Sequence, residues 1–357
     1  MTPGRARALA HAARRRVPTG LAVLGVAAAP LLFAASGLAE RNAGSSPQWV
    51  EELASAVVRI NAHIDPQGYT VAGLGREREG SGIVIDGDGL VVTIGYLMVE
   101  AYAAEVTDSH GRTVPANVVG YDHETGFGLL RAVEPARLEP KPKPKPMPLG
   151  KSAAVKEHDP VLIASSGGSG MVSAAYVVAK REFAGSWEYL LDEALFTAPP
   201  HPAWSGAALI NNEGRLVGVG SLIVGDSAGN GENVLGNMFV PIDRLPPILA
   251  DLIADGRVAG PGRPWLGLNA DELRGRLLVA RVTPAGPADK AGIRHGDVIV
   301  GVDGEKPGSL ADFYRKVWSR GGAGVTVPLD VLRDGDRQRI DVKSINRLEH
   351  LKLKSTF

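Results

Sequence analysis

The chain has no cysteine among its 357 residues, which excludes a disulfide framework and any thiolate metal site. Its eight histidines form no cluster with carboxylates at metal-ligand spacing, so no metal or other cofactor is expected. Charge of one sign is also missing: 39 Lys and Arg balance 39 Asp and Glu. No stripe of basic residues marks a nucleic-acid groove. The length suits two domains of ordinary size plus a leader.

The neutrality hides an asymmetry. Arg5, Arg7, Arg14, Arg15 and Arg16 precede an uncharged stretch over residues 17–39, a basic segment followed by an apolar one. Residues 1–39 are therefore expected to be a secretory signal peptide or, if uncleaved, an anchor in the inner membrane with its arginines in the cytoplasm. Either outcome places the folded part beyond the cytoplasmic membrane, in the periplasm of a Gram-negative cell. Cleavage would leave 34 basic against 39 acidic side chains, a net charge of −5.

Beyond the leader, residues 48–59 read as a short helix running into a strand. Short Val/Ile/Leu runs then alternate with turns at residues 86–89, 109–111 and 212–214, the signature of a β-sandwich or barrel. Residues 140–146 alternate proline and lysine and read as a stiff polyproline II connection. Residues 245–253 carry a helical pattern, and 257–263 form a Gly/Pro-rich hinge.

Several segments resemble the HtrA/DegP family of envelope serine proteases, in which a trypsin-like domain precedes one or two PDZ domains. Residues 80–93 match the strand, turn and strand before the catalytic histidine, which the family places three residues after the threonine. Counting from Thr93, that slot holds Tyr96. Residues 118–130 match the segment of the orienting aspartate, and its slot after Thr125 holds Gly126. The nucleophile segment is clear at Ser205, yet the family's Gly-Asn-Ser-Gly-Gly-Pro has become Ala203, Trp204, Ser205, Gly206, Ala207 and Ala208.

A serine hydroxyl is a poor nucleophile at neutral pH without an imidazole to take its proton and a carboxylate to hold that imidazole. A phenol with an ordinary pKa of about 10 is a weak base there, so Tyr96 is no substitute. Asp122, His123 and His201 are the candidates for a rearranged triad. His63, His110 and His158 lie in polar or turn-like surroundings that suit solvated surface residues. In the oxyanion hole, formed in the family by backbone N–H groups at the positions of Ala203 and Ser205, a Cβ on Ala203 resists the positive φ that glycine accepts. Ser205 is then either a residual nucleophile or a small residue at a tight turn, and Trp204 could fill the substrate cleft.

The second half resembles a single PDZ domain over residues 264–346. Its most specific stretch is 286–304, a short helix at 287–291, a Gly-Asp turn and a strand. Trp265, Leu266, Gly267 and Leu268 resemble the loop whose backbone N–H groups bind a peptide's terminal carboxylate, beside a strand edge open to β-augmentation. A helix over 309–320, capped by Ser309, places Leu310, Phe313 and Val317 on one face, as pocket lining or as core. Residues 325–332 and 338–342 read as a hairpin around Asp334 and Gly335. The tail, 347–357, is short and basic.

The expected fold is mainly β: a trypsin-like pair of six-stranded barrels over 47–256, a linker over 257–263, and a PDZ domain of a β-sandwich with two helices. Three functions fit. One is an inactive relative that holds exposed or C-terminal peptide segments or regulates an envelope protease. The others are a serine endopeptidase with a rearranged site, and an assembly role in which the barrels make oligomer contacts such as the trimers of related proteins. Two replaced triad positions and an altered oxyanion motif weigh toward the first, because activity does not follow from the scaffold.

Overall fold

The structure, a computed structural model, describes residues 47–133 and 146–353. The leader and most of the Pro-Lys connection lie outside these residues. Helix α1 (Gln48–Ser55) leads into a closed barrel of β1 (Val57–Ile64), β2 (Glu77–Val84), β3 (Leu90–Ile94), β4 (Ala101–Thr107), β5 (Thr113–Tyr121) and β6 (Phe127–Ala132), with the one-turn helix α2 (Val71–Leu74) between β1 and β2. A second closed barrel comprises β7 (Pro160–Ala164), β8 (Val172–Gly185), β9 (Tyr189–Ala198), β10 (Ala208–Ile210), β11 (Leu216–Val224) and β12 (Gly236–Pro241). Both are antiparallel. Each barrel has its own interior, around Ile60, Val91 and Leu130 in the first and Val177, Leu209 and Phe239 in the second. A further core between them joins Ile83, Val92 and Phe127 to Phe196, Val219 and Val240. Burial on both faces explains why β3 reads Leu-Val-Val-Thr-Ile with every residue buried.

Helix α3 (Pro246–Asp255) starts on two prolines and stops at Gly256 in the left-handed conformation. After it comes a five-stranded antiparallel sheet in sequence order, β13 (Leu268–Leu273), β14 (Arg276–Val282), β15 (Val298–Val302), β16 (Thr326–Arg333) and β17 (Asp336–Lys343). Helix α4 (Pro287–Ala291) matches the expected range, and α5 (Leu310–Trp318) is capped by Ser309 Oγ, which accepts the Asp312 N–H at 3.1 Å. The turn between β16 and β17 has positive φ at Asp334 and Gly335, as a two-residue hairpin loop requires. The tail forms α6 (Arg347–His350), and the Lys352 N–H then reaches the Glu100 carboxylate at 2.9 Å. Among the described residues no helix is long and apolar enough to cross a membrane.

Two features position the sites. The β8–β9 hairpin is long, 14 and 10 residues, and its tip leaves the second barrel to meet the PDZ-like sheet. Among the described strands β13 pairs with β14 alone, and on its other edge the Ala270 N–H meets that tip at Ser186 O.

Candidate functional site

Ser205 sits at the mouth between the barrels, on a loop pinned to the first one. The Ser81 N–H of β2 donates to Ser205 O at 2.8 Å, and Gly206 has a φ of 72° and lies so close to Ser81 O that a Cβ would stand 1.9 Å from it. Only glycine fits there. From the other side Tyr96, in a 3-10 turn after β3, places its hydroxyl 2.8 Å from Ser205 Oγ and 2.9 Å from Ser221 O. The Tyr96 backbone is held by Arg78, whose buried guanidinium donates to Tyr96 O at 2.6 Å and to Val99 O at 3.2 Å. Ser221 lies where the β11–β12 register shifts between Gly220 and Leu222, a bulge that turns its carbonyl toward the phenol.

The proton count settles the chemistry of this contact. A phenol has one hydrogen, and Ser221 O can only accept. The bonds are therefore both satisfied when Tyr96 donates to Ser221 O and Ser205 donates to Tyr96. Burial pushes the phenol up to about 12 despite opposing hydrogen bonds from Ser205 and Trp204. The group facing the serine proton is thus already protonated at neutral pH and cannot take a second.

The position where the orienting aspartate is expected holds a glycine in crowded surroundings. Gly126 has a φ of 86°, and a Cβ there would stand 3.1 Å from the Tyr189 hydroxyl, which donates to Thr125 O at 2.7 Å. Asp122 is consumed by its own turn, accepting from the Thr125 N–H at 2.8 Å and the Thr125 hydroxyl at 2.7 Å. His123 is half-buried, its enclosed Nδ1 has no hydrogen-bond partner among the described residues, and desolvation holds its pKa down at about 4.

His201 is occupied too. Its Nε2 is 3.2 Å from Met171 O, and its Nδ1 accepts the Ala203 N–H at 3.1 Å. A carbonyl only accepts, so the ring is neutral with its proton on Nε2, and burial lowers its pKa. This bond also removes the oxyanion donor expected at Ala203. Ala203 is not among the described residues with positive φ, so its N–H turns to the imidazole. His63 lies beside Tyr102 with the two rings tilted at 38°, and His110 is exposed beside Ser109.

The second site is the loop before β13. Leu266, Gly267 and Leu268 do present converging N–H groups, and Gly267 needs glycine, with a φ of 78° and a Cβ that would stand 3.1 Å from the Trp265 ring. Trp265 is buried, pairing with Ile345. The loop holds a carboxylate of this same chain. Glu188, at the β8–β9 tip, accepts from Leu266 at 2.8 Å, Gly267 at 2.7 Å and Leu268 at 3.0 Å. Leu310, Phe313 and Val317 are buried in one cluster that also takes in Leu190 of β9. They are core, and part of that core comes from the barrel.

A trypsin-like peptidase domain model matches residues 80–219, and a PDZ domain model matches residues 264–344. A probable periplasmic serine endoprotease, DegP-like, of Ectopseudomonas mendocina (strain ymp) is 32% identical over 293 residues, covering 75% of this chain and 57% of that protein. The chain belongs to the HtrA/DegP-like family. Serine protease PepD of Mycobacterium tuberculosis is 30% identical over 309 residues, covering 80% of this chain and 64% of its own. Among solved structures, the HtrA-type protease AlgW with a decapeptide is 21% identical, covers 86% of this chain and 99% of its own, and superposes with a TM-score of 0.48. The chain spans a little over half the length of the first relative.

Ser221, Tyr189, Arg78 and Glu188 were not singled out from the sequence. Each acts through a partner at least 18 positions away, and none lies within a family motif. The one local sign is Glu188 itself, a charged residue in a tight hairpin tip.

Proposed function

We propose that this HtrA-like protein is proteolytically inactive and serves the cell envelope as a binder of exposed or C-terminal peptide segments, in quality control or in regulation of another envelope protease. The observation that carries the inactive half is the Tyr96–Ser205 contact: the serine proton faces a half-buried, protonated phenol instead of an imidazole. The occupied Ala203 N–H supports it, since one oxyanion donor is worth about 3 kcal/mol of transition-state stabilisation. The binding half is supported by the Leu266–Gly267–Leu268 loop, whose geometry already holds a carboxylate. An envelope location is supported by the leader pattern and by relatives named as periplasmic.

The test is a paired assay on the full chain. Unfolded casein should remain intact, while peptides with free hydrophobic C-termini should bind saturably and lose affinity on Gly267→Val. Casein cleavage abolished by Ser205→Ala would establish the endopeptidase instead. If no peptide binds, the oligomer-forming assembly role takes its place.

A further inference from the structure

The β8–β9 hairpin does more than touch the PDZ domain. Four of its residues fill the places a bound peptide would take. The Glu188 carboxylate sits on the three N–H groups of Leu266, Gly267 and Leu268. Ser186 O accepts the Ala270 N–H at 3.0 Å from the edge of β13 that pairs with no other described strand, the bond by which an extended peptide augments a sheet. On the opposite wall, the Tyr314 hydroxyl of α5 donates to Gly185 O at 2.7 Å and accepts the Glu188 N–H at 3.2 Å. Leu190 is 5% exposed and packs with Phe313 and Val317, where an apolar side chain of a ligand would go.

The hairpin accepts backbone strain to do this. Glu188 has a φ of 59°, a conformation glycine adopts freely and a glutamate does not. A tip built only to turn would be served by glycine. Outside the groove, Arg315 pairs with Glu182 and with Asp192 at 2.9 Å, and Arg347 reaches Trp187 O at 3.3 Å, so charged contacts on both strands align the hairpin with the domain.

We infer that the β8–β9 tip is a tethered ligand of the PDZ domain, and that a peptide bearing a free C-terminal carboxylate and an apolar last side chain binds only by displacing Glu188 and Leu190. This rests on the reading of the loop as a carboxylate site. Peptide capture is then coupled to release of the PDZ domain from the barrel, because the same N–H groups cannot serve two carboxylates.

The experiment compares the full chain with Glu188→Ala and with Glu188→Gly, the latter removing carboxylate and strain together. The probe is a fluorescein-labelled decapeptide pool ending in leucine, as the free acid and as the C-terminal amide, read by anisotropy. Amide hydrogen exchange at Leu266, Gly267, Leu268 and Ala270 is read in parallel. The expected result is at least tenfold tighter binding of the free acid to both variants, no gain for the amide, and at least tenfold faster exchange at the loop amides. Equal binding of the free acid to all three proteins would overturn the tethered-ligand role while leaving the peptide site intact. Faster exchange with no binding to any form would instead remove the peptide reading, and the competition with it. Unchanged exchange in both variants would show that Glu188 does not hold the loop.

Discussion

The Tyr96 hydroxyl bridges Ser205 Oγ at 2.8 Å and Ser221 O at 2.9 Å, joining a turn of the first barrel to the nucleophile loop and a bulged strand of the second. The Tyr96 side chain is a structural tie across the cleft. Replacing it therefore tests stability as well as chemistry. Tyr96→Phe is expected to cost about 1–2 kcal/mol, through the loss of a partly buried hydrogen bond and an unpaired Ser221 carbonyl. Urea denaturation of the two proteins checks this, and the variant should gain no activity toward casein.

Restoring the imidazole alone is expected to fail. Tyr96→His supplies a base but no orienter, and a triad without its orienting carboxylate loses about four orders of magnitude in rate. Adding Gly126→Asp does not complete the set, because position 126 has a φ of 86° and a side chain there meets the Tyr189 hydroxyl at 3.1 Å. Casein turnover by the single and double variants should stay at background. Serine-dependent turnover by the double variant would show that the slot is more accommodating than its geometry.

Raising the pH should not awaken the serine below about pH 10. The Tyr96 proton is held more tightly in the folded protein, up to about 12 against the ordinary 10. Stability from this difference is fully present below pH 10 and is lost as the pH rises from 10 through 12. The difference spectrum of Tyr96→Phe against the parent, followed through tyrosinate absorbance, should show one tyrosine ionising late.

Glu188 responds in a nearer range. Burial pushes its carboxyl up to about 7 against the three N–H groups and the Arg347 guanidinium, which lower it, while the neighbouring Tyr314 hydroxyl also shares the burial. A folded-state pKa above the ordinary 4.5 means docking is favoured fully below pH 4.5 and weakens as the pH rises through 7. Exchange at the Leu266, Gly267 and Leu268 amides, corrected for intrinsic rates, should accelerate between pH 5 and 8 by tenfold or more. Glu188→Gln, which has no proton to lose, should abolish that dependence.

The local architecture was largely legible in the sequence. Pro287 and Gly292 bracket α4, Ser309 caps α5, and Asp334 with Gly335 sets the β16–β17 turn; each signal acts over a few residues and each element formed where it pointed. The three aliphatic and aromatic positions on α5 were open between pocket and core, since periodicity finds a buried face without saying what covers it. Leu190 covers it, from a strand more than 100 positions earlier. The same limit hid the Tyr189 phenol behind Gly126 and the Glu188 carboxylate in the Gly267 loop. Residue types at the nucleophile loop showed what was missing, whereas only the assembled barrels show what fills the gaps. Phe313, fully buried, should behave as core: Phe313→Ala is expected to cost about 3–5 kcal/mol by denaturant unfolding.

The proposed silence of Ser205 is tested most directly by labelling the full chain with a fluorophosphonate probe, alongside Ser205→Ala and an active trypsin control. With its proton committed to a protonated Tyr96, Ser205 should give no labelling above the alanine variant at pH 7.5. Stoichiometric labelling that Ser205→Ala abolishes would mean the hydroxyl is activated after all, and would contradict the reading of the cleft as a silenced active site.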